Sequence, residues 1–393
     1  MKLIKFILGL SVLPLLLGFT NIAHRGDNRN GKYIEHTYQA YDRAAADGAN
    51  YLELDVHETK DGVLVISHDN NLSRVFGVNK KITASNYVDL KKYRNYDNEP
   101  IHTLDEIFER YRSNPKLKFM IETKNETKKT GMERKMIDLV KKYQLNNRVL
   151  IESFSIPSLK QIKKIDPQLK TCLLGHKYTQ VGKNDYYANG KYSKQIAKYL
   201  KKHHKKYLIW DINTKRQMRS LIKNGMVDGV LTNYPAQLSK LKGVKNYQSV
   251  NITGKAYIAT NKARVYQIYK EKQKKTNMVL KQGQVYKIFQ LKLIHGEYWY
   301  KLGNNQWVNA KNIEFYPYSK QTKSAPQLKT GNVQIVSKTA KMYHSPTGKK
   351  YNNPNLKENT KWEYFAKMNY KKHIFYNLGG NQWIDGKDVK VIK

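Results

Sequence analysis

The sequence predicts an α/β protein: a (β/α)8 TIM-type barrel followed by two small all-β, SH3-like modules. Three observations carry this. Apolar strand-like runs alternate with helical stretches over residues 21–240, the order that produces parallel sheets. About eight such units fit in that span, the number that closes a barrel. Beyond about residue 245 the helical pattern stops, and short Tyr/Val/Ile-rich runs with Gly-Asn turns occur in two similar copies, the pattern of small β barrels. A doubly wound sheet competes for the first region, but no Gly-rich phosphate loop follows an early strand.

Lys2 and Lys5 flank the start of an apolar run from Phe6 to Thr20. That run is short for a bilayer span of about 20 residues and suits the core of an export signal. Residues 1–20 are therefore expected to be a signal peptide or an N-terminal membrane anchor. Strands are expected at Asn21–Ala23, Asn50–Asp55, Val63–Ser67, Lys118–Glu122, Val149–Glu152, Lys170–Leu174, Tyr207–Trp210 and Gly229–Thr232. Helices are expected at Glu35–Asp47, Leu104–Tyr111, Met132–Tyr143, Ser155–Ile165 and Thr214–Asn224. Together these make one domain over residues 21–245.

In the later region Tyr300-Lys-Leu-Gly-Asn-Asn-Gln-Trp307 matches Tyr376-Asn-Leu-Gly-Gly-Asn-Gln-Trp383, and Ala263-Arg-Val-Tyr266 matches Ala340-Lys-Met-Tyr343. The copies run over residues 253–316 and 332–393, with a linker at 317–331. Trp307 and Trp383 are read as cores of these modules.

Hydrophobic residues make up 40% of the chain, enough for a sizeable core and too many for a wholly disordered chain. Lys and Arg number 72 against 31 Asp and Glu, a net charge of +41. Such a surface attracts polyanions: nucleic acid, anionic lipid or an acidic wall polymer. Export argues against nucleic acid. The lone Cys172 excludes an internal disulfide and a thiolate-rich metal site.

Polar residues gather at the C-terminal ends of the expected strands, the rim where such barrels carry their chemistry. Glu53, Asp55 and Glu122 form a hard oxygen set suited to Ca²⁺ or Mg²⁺. His24 and His68 are candidates for general acid and base. Arg25 and Lys124 offer positive charge to an anionic group, a combination that suits attack on a phosphodiester. Trp210 ends a strand and is either core or a rim platform for an alcohol group. Glu35 is either a first-turn helix charge or a substrate or network residue. A two-residue turn at Asp61-Gly62 would bring Asp55 directly opposite His68. It would also make Val63–Ser67 antiparallel to its predecessor, in conflict with its place among parallel barrel strands.

These motifs together, Ala23-His24-Arg25-Gly26, Glu53-Leu-Asp55-Val-His57, Ser67-His68-Asp69, Ile121-Glu122-Thr-Lys124 and Thr232-Asn-Tyr-Pro235, resemble the glycerophosphodiester phosphodiesterases. The resemblance covers about residues 21–240. It implies a phosphatidylinositol-phosphodiesterase-like barrel and cation-dependent hydrolysis of glycerophosphodiesters to glycerol 3-phosphate and an alcohol. It also implies His24 and His68 as the acid/base pair, Glu53, Asp55 and Glu122 as metal ligands, and Arg25 and Lys124 as phosphate contacts. The family's Pro-Glu-Asn-Thr reads Ile34-Glu35-His36-Thr37 here, and its closing Thr-Asp reads Thr232-Asn233.

The C-terminal copies resemble the surface-layer-protein-type wall-binding domains of lactobacilli, also similar to bacterial SH3-like modules. This implies attachment to anionic wall polymer such as teichoic acid. The expectation is a monomeric enzyme at the cell surface of a Gram-positive bacterium, with membrane contact only through the N-terminus. Teichoic acid or lysophospholipid are alternative substrates, and a catalytically inactive wall-binding protein is the alternative of another class.

Overall fold

The structure is a computed structural model and describes residues 18–29, 33–95, 97–125, 131–244, 249–317, 331–343, 356–364, 366–370, 373–379 and 382–392. Most of the expected signal or anchor segment and of the linker lie outside them. Among the described residues no helix is long and apolar enough to cross a membrane.

Eight parallel strands close a barrel. They are β1 (Thr20–Ala23), β2 (Tyr51–Glu58), β4 (Lys118–Thr123), β5 (Val149–Ser153), β6 (Lys170–Leu174), β7 (Tyr186–Asn189), β8 (Lys206–Ile209) and β9 (Gly229–Thr232), while β3 (Leu64–Ile66) joins the sheet through β2. Closure falls on β1, where Ile22 pairs with Tyr51 of β2 and with Leu231 of β9. Ile22, Met120, Leu150, Cys172, Ala188 and Leu208 form a buried cluster contributed by successive strands. Burial pushes the Cys172 thiol well above its ordinary range, so it behaves as a small core residue.

The longer helices are α1 (Tyr38–Ala46), α2 (Leu104–Tyr111), α3 (Gly131–Lys142), α4 (Ile156–Ile165), α5 (Lys194–Lys202), α6 (Lys215–Asn224) and α7 (Pro235–Leu241), with single turns at Ser73–Phe76 and Tyr87–Leu90. Their starts are written locally. Thr103 with Glu106 and Thr214 with Gln217 form reciprocal capping boxes at α2 and α6, satisfying backbone N–H groups that have no partner inside the helix.

Two strand expectations change. Val63–Ser67 is not a barrel stave: Leu64–Ile66 runs antiparallel to β2. The eighth stave is Tyr186–Asn189, four residues with two fully buried, too short to show a period. The hairpin register also differs from a two-residue turn. Val56 pairs with Ile66 and His57 with Val65, leaving Lys60, Asp61 and Gly62 in the loop, with Gly62 at φ +83°. A three-residue hairpin with a left-handed glycine explains this, and Thr59 Oγ1 reinforces it by accepting the Val63 N–H at 2.9 Å. Ser67, not His68, lies opposite Asp55, its N–H donating to the Asp55 carbonyl at 2.9 Å.

The chain divides into two compact units, one of residues 1–27, 43–54 and 115–248, the other of residues 28–42, 55–114 and 249–393. The second holds an antiparallel sheet of seven strands. They are β10 (Ser249–Ile258), β11 (Ala263–Tyr269), β12 (Lys272–Leu280), β13 (Val285–Ile294), β14 (Glu297–Gly303), β15 (Gln306–Asn309) and β16 (Ile313–Glu314). Three- and four-stranded antiparallel sheets follow between Gly331 and Ile392. Tyr266 pairs with Trp307, and Tyr343 with Trp383. Both tryptophans are buried, packed respectively on Ile268 and Ile294 and on Met368 and Phe375; they are core residues.

A buried ion pair holds α1 to α2. The Arg110 guanidinium donates to Asp42 through Nε at 3.0 Å and Nη2 at 2.5 Å. Burial alone would lower the Arg110 pKa, but Asp42 outweighs it and holds the charge in place. Arg110→Ala is expected to cost about 3–5 kcal/mol, because it strands a buried carboxylate without its cation. An unchanged denaturation midpoint would remove this role.

Candidate active site

The rim is assembled from strand ends. Glu53 and Asp55 are two apart on β2, so they face the same side, and Glu122 lies one residue before the end of β4. One carboxylate oxygen from each lies within 4.8 Å of the others, and all three residues are buried. Three buried carboxylates this close repel one another unless a cation sits among them, and all offer hard oxygen donors. The residues present therefore fit a divalent cation. Lys124 Nζ meets Glu122 Oε2 at 2.7 Å.

Arg25 contributes twice. Its backbone N–H donates to Glu53 Oε2 at 2.7 Å, and its φ of +58° turns the chain sharply after β1. His24 closes that strand, its N–H donating to the Thr232 carbonyl at 3.0 Å. Its Nδ1 lies 2.9 Å from Asn233 Oδ1 and 3.3 Å from Asp211 Oδ1. Asp211 also carries a positive φ, +58°.

His68 lies just past β3. Its Nδ1 meets Asp69 Oδ1 at 2.7 Å, and His57 Nε2 lies 3.3 Å from its carbonyl oxygen. Burial pushes Asp69 upward, but Arg74 and the bond to His68 outweigh that and hold its carboxyl far below the usual range. Arg74 Nε donates to Asp69 Oδ2 at 2.6 Å, and its Nη1 donates to Glu35 Oε2 at 2.9 Å. Glu35 is thus a network residue behind His68 and not a first-turn charge, since α1 starts only at Tyr38.

Trp210 follows β8 and meets Phe154 edge-on, ring centres 5.9 Å apart. Phe154 is 51% exposed. Two glycines make room for the pair: a Cβ on Gly175 would stand 2.7 Å from Phe154, and one on Gly190 3.0 Å from Trp210 Nε1. The result is a partly exposed aromatic pair at the end of β8.

The structure thus brings Glu53, Asp55 and Glu122 together, attaches Arg25 and Lys124 to that cluster, and gives each histidine a fixed partner. Sequence reasoning missed four participants: His36, whose Nε2 lies 2.9 Å from Asp55 Oδ2, and Asn233, Asp211 and Arg74. His36 and Asn233 had a signal, since both sit where the chain departs from the pattern it resembles. Arg74 had none, because its partners are 39 and five residues away.

Residues 24–237 match the glycerophosphoryl diester phosphodiesterase family. Among curated proteins, the glycerophosphodiester phosphodiesterase of Caldanaerobacter subterraneus is 33% identical over 239 residues, covering 56% of this chain and 96% of that protein. The Bacillus subtilis glycerophosphodiester phosphodiesterase is 28% identical over 255 residues, 56% of this chain and 85% of that one. Among solved structures, a putative glycerophosphodiester phosphodiesterase from Galdieria sulphuraria superposes with TM-score 0.52 at 20% identity, over 57% of this chain and 98% of that one. An Oleispira antarctica phosphodiesterase in complex with the product sn-glycerol-3-phosphate gives 0.50 at 21%, over 56% and 95%. The matched family segment begins directly after β1, runs through β9 and includes every rim residue described above, and the chain belongs to the glycerophosphoryl diester phosphodiesterase family.

Proposed function

We propose that this protein hydrolyses glycerophosphodiesters to glycerol 3-phosphate and an alcohol at the cell surface, by histidine acid/base catalysis at a divalent-cation site. The convergence of Glu53, Asp55 and Glu122 within 4.8 Å carries the reading. Glu53, Asp55 and Glu122 would hold a Ca²⁺ or Mg²⁺ ion, which when bound would supply Lewis acidity and charge neutralisation for the phosphoryl group. Lys124 adds positive charge beside the same carboxylates, Arg25 follows β1 with its backbone N–H on Glu53, and the two side chains orient the phosphate. His24, with Nδ1 engaged by Asn233 and Asp211, moves a proton at Nε2. His68, with Nδ1 on Asp69, does the same. One imidazole takes a proton from the attacking oxygen, either water or the substrate's own glycerol hydroxyl in a first step whose cyclic phosphate water then opens, and the other gives a proton to the departing alcohol oxygen. The aromatic pair of Trp210 and Phe154 seats the alcohol.

The test is release of glycerol 3-phosphate from glycerophosphocholine by the full chain, with and without chelator. No release under cation-replete conditions would end the proposal in favour of a catalytically inactive surface protein.

Residues 251–393 hold 27 Lys and Arg against seven Asp and Glu, which supports attachment to anionic wall polymer such as teichoic acid through this region. An apolar N-terminal run supports an extracellular location. The same positive region favours a second substrate reading, glycerophosphate teichoic acid itself. Purified wall polymer incubated with the protein would release glycerol phosphate on that reading. Polymer binding is expected to weaken steeply between about 0.05 and 0.5 M salt, since exposed charges separated by more than roughly 10 Å are screened at 0.1 M. Salt-insensitive binding would overturn the electrostatic account.

A further inference from the structure

We propose that Tyr300 and Tyr316 are positioning residues for the divalent-cation site: they fix the segment from His36 to Asp42, and His36 in turn fixes the Asp55 carboxylate. The inference rests on the cation-site reading above. All the residues that carry it lie in one compact unit, the one that joins residues 28–42 and 55–114 to residues 249–393.

His36 is buried at φ +59°. Its Nε2 lies 2.9 Å from Asp55 Oδ2 and its Nδ1 2.6 Å from the Tyr41 hydroxyl. The imidazole is therefore gripped from both sides, and its orientation follows from where α1 places Tyr41. That helix is nine residues long and starts two residues after His36. Its pose is set at two points one turn apart on the same face, Tyr38 and Asp42.

Both points are secured by the C-terminal sheet. Asp42 accepts from Tyr300 Oη at 2.7 Å through Oδ2, and from Tyr111 Oη at 2.6 Å through Oδ1, in addition to Arg110. Arg110 lies 4.2 Å over the Tyr38 ring and 4.6 Å over Phe315. A Cβ on Gly254 of β10 would stand 2.7 Å from Arg110 Nη1, so the sheet backbone closes directly on the guanidinium. At the other point, Glu99 accepts the backbone N–H groups of Tyr38 and Gln39 at 2.7 and 3.2 Å and meets His102 Nε2 at 2.7 Å. His102 stacks on Tyr38 at 4.0 Å, and the Tyr316 hydroxyl lies 3.3 Å from His102 Nδ1. Asn98 Nδ2 ties the same loop to Glu314 Oε2 and to the carbonyls of Tyr316 and Pro317, each at 3.1 Å.

An outer partner that orients a metal-binding carboxylate commonly changes metal affinity tenfold or more when removed. A network one shell further out transmits less, because several contacts share the constraint. The sheet is thus more than an appended wall anchor: it sets how well formed the cation site is before any cation arrives.

The test measures cation affinity without turnover. The full chain is stripped with EDTA and titrated with Mn²⁺, and free Mn²⁺ is read by electron paramagnetic resonance. His36→Ala is expected to raise the Mn²⁺ Kd about tenfold. Tyr300→Phe and Tyr316→Phe, each losing one hydroxyl, are expected to raise it about threefold and to add little in the His36→Ala background. Val308→Ala, in the core of the same sheet, controls for general loosening: it is expected to lower the melting temperature and leave Kd unchanged. The inference is overturned if both Tyr variants bind Mn²⁺ as the wild type does, or if Val308→Ala shifts Kd as much as they do. Wild-type protein that binds no Mn²⁺ would instead sink the cation-site reading, and this inference with it.

Discussion

His24→Ala is expected to lower kcat for glycerophosphodiester hydrolysis by about 10²–10⁴-fold, the span a positioned acid or base contributes, and His68→Ala by a similar factor. Both rings are held by a second group: His24 by Asn233 and Asp211, His68 by Asp69. Removing either imidazole leaves the cation cluster and the barrel untouched, so KM and the unfolding midpoint should move little. The double variant should be barely worse than the single ones if both act in one concerted proton transfer, since groups acting as a unit are not additive. Initial rates with glycerophosphocholine, alongside circular dichroism to confirm folding, decide the matter. Wild-type turnover in either single variant would remove that histidine from the reaction.

Loss of the cation cluster should be as severe. Asp55→Asn replaces one of the three charges that converge within 4.8 Å with a neutral amide of nearly the same shape, so packing is preserved while the attraction for a divalent ion falls. Turnover at limiting cation is expected to drop by about 10³-fold, an effect of roughly 4 kcal/mol in the barrier. High Mg²⁺ or Ca²⁺ should restore part of it if affinity is what was lost. Chelator should inactivate the wild type reversibly and leave its fold intact. Chelator-resistant hydrolysis would show that the three carboxylates serve another purpose.

Much of this site was legible before any coordinates. The rim carboxylates stood out because Glu53 and Asp55 share the two-residue period of one strand and Glu122 lies near the end of another. His24 and His68 were visible for the same reason, as polar residues at the ends of apolar runs. What the chain hid was long-range or short-period information. Tyr186–Asn189 carries too few residues to show an alternation. The Lys194–Lys202 helix is not among those expected: its lysines interrupt the core face, where Ala197 and Leu200 are buried and Ile196 and Tyr199 only partly so. The one-residue hairpin shift came from the Thr59 side chain and the left-handed Gly62, local chemistry that a bare Asp-Gly motif does not disclose. For Glu35 a first-turn helix charge and a substrate or network role were both open, because the helix was expected three residues too early. Its true partner, Arg74, lies 39 residues on, a pairing only the folded chain creates.

Arg25, His36 and Asp211 all hold left-handed backbone angles, between +58° and +59°, and none is glycine. Each carries a conformational penalty of about 1–2 kcal/mol while meeting a carboxylate or an imidazole, Arg25 through its backbone N–H and His36 and Asp211 through their side chains. Selection for heat resistance alone would push these positions toward glycine or asparagine, relaxing the chain and emptying the cleft of its working groups. Thermostabilised descendants of this protein should therefore be screened for turnover at exactly these three codons, since robustness and rate pull there in opposite directions.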